Sequence, residues 1–186
     1  MKKINVHDEI FLIENFLSEE ECFEYLLKYQ TVEFEEAKIS VDGNQVMNKG
    51  VRNNDRYLFF DEDLGQDFWN RLQDFIPKKV GFYEGIGLNE MFRVYKYTKG
   101  QRFKMHIDGS YRRNLEEQSF YSFLIYLNDD FEGGETAFRN IGTIKPKKGT
   151  VLVFRHRLRH EGKELISGVK YVLRTDVMYK RVQKIN

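Results

Sequence analysis

The fold class this sequence predicts is mostly β with flanking helices, a double-stranded β-helix or jelly roll, and three observations predict it. From Met91 onward the chain reads as short strands, MFRVYKY, QSFYSFLIYLN, TAFRN, GTVLVF and KYVLRTDVMY, each rich in β-branched or aromatic residues. Glycines and polar turns separate these runs, as they do in antiparallel β architectures. Two amphipathic helical segments are gathered ahead of them, which places the helices on one face of the strands rather than between them. No internal repeat or low-complexity tract points to a solenoid instead.

Each element has its local reason. The first helix, SEEECFEYLLKY, opens on Ser18, an N-cap residue followed by Glu19, Glu20 and Glu21. The second, DEDLGQDFWNRLQDFI, carries Leu64, Phe68, Leu72 and Phe75 at helical spacing and is expected to stop at Pro77. Its apolar stripe should cover a sheet. Between the helices, VDGNQVMNKGVRNND is polar, holds Gly43 and Gly50, and reads as a loop rather than a linker. The chain is therefore expected to form a single domain over 1–186. Residues 1–90 would buttress the barrel and residues 91–180 would form a cupin-like core. A β sandwich without a ligand cavity is the alternative.

Composition narrows the function classes. Thirty Lys and Arg against 29 Asp and Glu give a formal charge of +1, which advertises neither nucleic acid nor an anionic membrane as partner. The lone Cys22 cannot make an intramolecular disulfide, and no apolar run suits a signal peptide or a membrane span. An intracellular, cytoplasmic location is the expectation.

In KMHIDGS, His106 and Asp108 are separated by one residue, so on an extended segment both side chains face the same way and can meet one cation. A third ligand must come from elsewhere, and His7, His156 and His160 are the candidates. Two histidines and one carboxylate leave coordination positions open, the arrangement that suits non-haem Fe(II) oxygenases, with zinc as the competitor. Alone, such a triplet is more often a surface turn.

Three segments, YTKGQRFKMHIDG, FLIYLNDDFEGGETAF and PKKGTVLVFRHRLRHEGKELISGVKY, change that weighting. In order and wording they resemble the Fe(II)/2-oxoglutarate dioxygenase superfamily, prolyl 4-hydroxylase-like group, over about half the chain from near Arg93 to Tyr179. The family's pattern runs Tyr-x-x-Gly-Gln, HxD, a Tyr-Leu-Asn strand, a Gly-Gly-Glu-Thr turn, and a distal His followed ten residues on by Lys or Arg. All five elements are present.

The resemblance implies an oxygenase that hydroxylates a substrate C–H bond with release of succinate and CO2, using Fe(II), 2-oxoglutarate and O2, with ascorbate as an accessory reductant. It implies His106, Asp108 and His160 as the metal ligands, because His160 has Lys170 at the family's spacing whereas the same offset from His156 falls on Ile166. His156 then reads as a surface or supporting histidine. Lys170 is implied as the partner of the distal carboxylate of 2-oxoglutarate; Arg174, on the same face, is its rival, since a guanidinium grips a carboxylate with two parallel bonds. Tyr97, Tyr126 and Thr136 match positions that line the cosubstrate pocket in relatives, against a bland reading as core tyrosines and a turn residue. Gly133, Gly134 and Gly100 read as turn glycines, the first two with positive φ and close approach.

The substrate is expected to be a protein or peptide side chain such as proline. A small-molecule hydroxylase of the same superfamily and a non-catalytic cupin-like metal-binding domain are the alternatives. Arg174 and Arg56 are the candidate substrate contacts. The stretches bearing Arg52, Arg56, Arg112 and Arg113 read as solvated loops ahead of a contact to an acidic or extended substrate.

Overall fold

A computed structural model describes residues 1–41 and 44–182. Two sheets face each other, as the alternation of buried residues requires. The larger runs Lys2–His7, Ile10–Glu14, Val151–Arg155, Glu117–Tyr126, Lys170–Arg181, Met91–Tyr97, Asp55–Phe60 and Glu35–Glu36, all antiparallel. Tyr83–Leu88 pairs with the C-terminal half of Lys170–Arg181 and carries Lys79–Val80 at its edge. The smaller sheet is Phe103–His106, His160–Gly162, Thr136–Phe138 and Gly142–Ile144. The described residues are mostly β with two helices, the jelly-roll class, with open rather than closed sheets.

Each large-sheet strand has two different faces because successive side chains alternate. Tyr171, Leu173 and Val177 join Phe92, Val94, Phe123, Ile125, Val151 and Val153 in a core that also takes Cys22, Tyr29, Phe68 and Leu72 from the helices. Val172, Tyr95, Tyr97, Tyr126, Leu152 and Phe154 turn the other way and meet Phe138 and Ile144 of the small sheet. One face holds the helices and the other opens on the candidate site.

The first helix, α1, spans Glu19–Gln30. Ser18 accepts from the Glu21 N–H at 3.1 Å while Glu21 accepts from the Ser18 N–H at 2.8 Å, a complete capping box. The second, α2, spans Glu62–Leu72 with Asp61 as N-cap, and it ends before the expected stop at Pro77. Phe75 instead closes a turn onto the Leu72 carbonyl, and Phe68 and Leu72 are fully buried. Helical conformation is disfavoured just before a proline, so the last residues of that stretch leave the helix early.

The expected loop between the helices is in part a hairpin, Ile39–Val41 against Asn44–Val46, while Gly43 lies outside the described residues. Beyond it, the Val51 and Arg52 N–H groups turn back onto the Asn48 carbonyl, and Val51 accepts from the Lys104 N–H at 2.9 Å. This segment thereby docks on the strand that carries His106. Among the described residues no helix is long and apolar enough to cross a membrane.

Candidate metal and cosubstrate site

The strand Phe103–His106 pairs with His160–Gly162 so that His106 sits directly opposite His160. Each ring is oriented by its own backbone: His106 Nδ1 is 2.7 Å from the Lys104 carbonyl and His160 Nδ1 is 2.9 Å from the Leu158 carbonyl. A carbonyl can only accept, so both rings hold their proton on Nδ1 and turn the Nε2 lone pair inward. Asp108 lies just past the strand, its N–H donated to the His156 carbonyl at 3.1 Å. Its two oxygens are each 3.6 Å from a histidine, Oδ1 from His106 Nε2 and Oδ2 from His160 Nε2. The three ligand atoms lie within 4.8 Å of one another.

Electrostatics keep these groups in metal-binding form. Burial pushes the Asp108 carboxyl up, but the Arg174 guanidinium and then the two histidines outweigh it and hold it well below the usual range. Burial lowers His160 to about 4, so its ring is neutral at physiological pH. Two imidazole nitrogens and a carboxylate, with the rest of the shell free, are a donor set that fits Fe(II).

His156 is buried and does not join the cluster. Its Nδ1 is 3.0 Å from Ser122 Oγ and its Nε2 is 2.9 Å from Ser119 Oγ, while Ser122 Oγ donates to Asp108 Oδ2. It therefore anchors the Asp108 carboxylate from behind through Ser122, and burial lowers its pKa. Phe103 stacks on His106 at 3.5 Å between ring centroids, and Arg52 covers both Phe103 and Tyr95 at 4.4 Å.

The cavity in front of the triad is walled by Tyr95, Tyr97, Leu124, Thr136, Lys170 and Arg174 among others. Lys170 is 3% exposed, has no carboxylate within ion-pair range among the described residues, and donates to the Gly134 carbonyl between the Tyr97 and Tyr126 rings. Burial lowers it to about 7. An ammonium so placed is costly unless an anion joins it, and a dicarboxylate reaching from the metal would supply one. Thr136 lines the cavity; Tyr126 does not, but holds Thr136 through a 2.8 Å hydroxyl bond. Gly133 and Gly134 have φ of 76° and 66°, and a Cβ on Gly134 would lie 2.9 Å from Leu165 and 3.2 Å from the Lys170 chain, so this turn leaves room for the lysine.

Of the two candidate substrate residues, Arg174 lines the cavity and Arg56 does not. Arg174 lies 3.1 Å from Asp108 and 3.4 Å from Asp176. Arg56 sits opposite Tyr95 but gives its guanidinium to Glu35 at 2.6 Å. Arg52, expected in a solvated loop, is instead 5% exposed. Sequence reasoning passed over Tyr95, Arg93, Ser122 and Phe103. Strand alternation was the available signal for Tyr95 and Arg93, since they lie two and four residues before Tyr97.

Comparison with known proteins adds an independent line. Residues 92–175 match the family model of the 2OG-Fe(II) oxygenase superfamily. This stretch is similar to the 2OG-Fe(II) oxygenase domain. The chain is 26% identical to prolyl 4-hydroxylase 1 of Arabidopsis thaliana, over 87% of this chain and 66% of that protein. A probable prolyl 4-hydroxylase 8 of the same plant is 29% identical over 74% of this chain and 47% of its own length. The chain thus spans about half to two thirds of these two relatives. In structure, the chain resembles a prolyl hydroxylase of Trichoplax adhaerens, solved with a peptide from a hypoxia inducible factor, at a TM-score of 0.73 and 20% identity, covering 91% and 83% of the two chains. The viral collagen prolyl hydroxylase of Paramecium Bursaria Chlorella virus-1, solved with 2OG, superposes at 0.63 and 21% identity over 95% and 97%. Those likenesses establish the fold.

Proposed function

We propose that this protein is an Fe(II)- and 2-oxoglutarate-dependent hydroxylase acting on a protein or peptide side chain, proline foremost. One observation carries the reading: two inward Nε2 atoms and a carboxylate converge in the same cavity as a buried ammonium that has no carboxylate within ion-pair range among the described residues. The relatives named as prolyl 4-hydroxylases support the choice of proline.

His106, Asp108 and His160 would hold Fe(II) and leave the remaining positions open. The metal, when bound, supplies activation of O2 coupled to decarboxylation of 2-oxoglutarate. Lys170, with Tyr97 and Thr136 lining the same cavity, would bind the distal carboxylate and so fix the cosubstrate's orientation. Tyr126 positions Thr136, and the Ser122–His156 pair positions Asp108. Phe103, Leu124, Phe154 and Val172 exclude water from the cavity wall. No side chain is required as general acid or base. The buried, free Cys22 supports a reducing, cytoplasmic setting.

The test is succinate release from 2-oxoglutarate with Fe(II), run with proline-containing peptides and with a metabolite panel. Wild type should turn over and both His106→Ala and Asp108→Ala should fall to background; equal turnover in all three contradicts the metal assignment. Gain of one oxygen on a peptide supports the protein substrate, whereas oxidation of metabolites alone favours the small-molecule reading.

A further inference from the structure

Strand alternation puts Lys170, Val172, Arg174 and Asp176 on one face of their strand; the first three line the cavity, and Asp176 lies beyond them beside Arg174. The neighbouring strand contributes Arg93, Tyr95 and Tyr97 to that face, and Arg174 is paired directly opposite Arg93. Like charges set directly across a ladder repel, and burial strengthens the repulsion. The counter-charges are few. Asp176 lies 3.4 Å from Arg174 and 3.6 Å from Arg93, and is shared between them. Asp108, 3.1 Å from Arg174, is the metal's own ligand, so a bound cation neutralises the charge that Arg174 now enjoys.

Arg174 Nε, Arg93 Nη1 and Arg52 Nη2 are buried with no acceptor within hydrogen-bond distance, Arg93 Nη1 reaching Asp176 only at 3.6 Å, and the Tyr95 phenol is the further polar group that Arg174 and Arg52 share. Arg52, clasped between Tyr95 and Phe103, adds a third guanidinium to this end of the site. The Tyr95 phenol registers the excess: burial alone would raise it, yet Arg174, Arg52 and Arg93 pull it down to about 8. Fe(II) with Asp108 and the keto acid end of 2-oxoglutarate would be close to neutral, as would Lys170 with the distal carboxylate. Three arginines then face one carboxylate, Asp176.

We infer that the Arg93–Arg174 pair receives a carboxylate of the substrate, so that the molecule oxidised carries an anionic group beside the C–H bond that reacts. The inference rests on the oxygenase reading above and names the substrate class for that same site. Guanidinium groups bind carboxylates through two parallel hydrogen bonds, and Arg174 lines the cavity with Arg93 directly opposite it on the neighbouring strand. The carboxylate has two sources, a free chain end or an acidic side chain flanking the target residue.

Binding calorimetry under anaerobic conditions, on the full chain loaded with Fe(II) and 2-oxoglutarate, tests this with four matched ligands. Acetyl-prolyl-glycine offers a chain-end carboxylate and acetyl-aspartyl-prolyl-glycinamide a side-chain carboxylate. Acetyl-prolyl-glycinamide and acetyl-asparaginyl-prolyl-glycinamide are the neutral counterparts. At least one carboxylate ligand should bind about tenfold or more tightly than its counterpart. Arg93→Gln should bring that ratio close to one, and Arg93→Lys, which keeps the charge, should retain part of it. Equal binding within both pairs, binding of none of the four, or a ratio unaltered in Arg93→Gln overturns the inference. If the wild type fails to bind 2-oxoglutarate at the loading step, the oxygenase reading itself falls; if it binds 2-oxoglutarate without discriminating charge, only this inference does.

Discussion

Lys170 is the side chain whose cost and use are easiest to separate. With no anion present it keeps an ammonium 3% exposed with a single carbonyl as polar partner. Lys170→Met preserves the length of the chain and removes the charge. The variant is therefore expected to unfold at a higher temperature than wild type in the absence of 2-oxoglutarate, on the order of 1 kcal/mol more stable, while its affinity for 2-oxoglutarate falls about a hundredfold. Thermal unfolding and calorimetry read the two effects, and a lower melting temperature with unaltered affinity would contradict the assignment. The pH dependence follows the same residue. Its folded pKa of about 7 lies below the ordinary 10.5, so between those values the unfolded chain binds more protons. Lys170 thus adds to stability as pH rises through that window and penalises the fold below it. A carboxylate laid beside the ammonium raises its pKa again. Binding of 2-oxoglutarate near pH 8 should then take up a proton, seen as a binding enthalpy that varies with the buffer's ionisation enthalpy; no variation counts against Lys170 as the carboxylate partner.

At the scale of elements, the junction between sheet and first helix carries a clear prediction. Gly149 has φ of 71°, its carbonyl accepts from Phe16 and Leu17, and a Cβ there would lie 2.4 Å from the Leu17 oxygen. Gly149→Ala is expected to cost on the order of 3 kcal/mol, more than Ser18→Ala at about 1 kcal/mol, since one forces backbone apart and the other removes a single cap. Chemical denaturation of both variants checks the order. Elements with strong local signals were legible in the sequence: the helix after Ser18 and the long strands such as Glu117–Tyr126 and Lys170–Arg181. Phe103–His106, His160–Gly162 and Gly142–Ile144 were not, because three or four residues carry too little alternation and pair through register supplied by distant neighbours. The end of α2 was misjudged because Phe75 keeps the apolar spacing although the backbone has already turned.

For the whole molecule, the N-terminal half supports two different strands of the candidate site. Asp55–Phe60 extends the large sheet beside Met91–Tyr97, and the Val51–Asn54 segment docks on Phe103 and Lys104 while Arg52 covers the ring stacked on His106. None of this could be read from the chain, because it depends on register between segments about 50 residues apart. Nor could the apposition of Arg93 and Arg174, or the Ser119–His156–Ser122 support of Asp108, since each arises only once strands are paired. His106, Asp108, His160 and Lys170 were legible because motif spacing ties them together in the sequence itself.

The central claim is that the three ligands and Lys170 together hold Fe(II) and 2-oxoglutarate in one cavity. Anaerobic addition of both to the purified protein, followed by visible absorption, tests it most directly, because chelation of Fe(II) by the keto acid end produces a charge-transfer band that neither component gives alone. The band should appear in wild type, be absent in Asp108→Ala, and require a far higher 2-oxoglutarate concentration in Lys170→Met. A wild type without the band, or variants indistinguishable from it, would contradict the account.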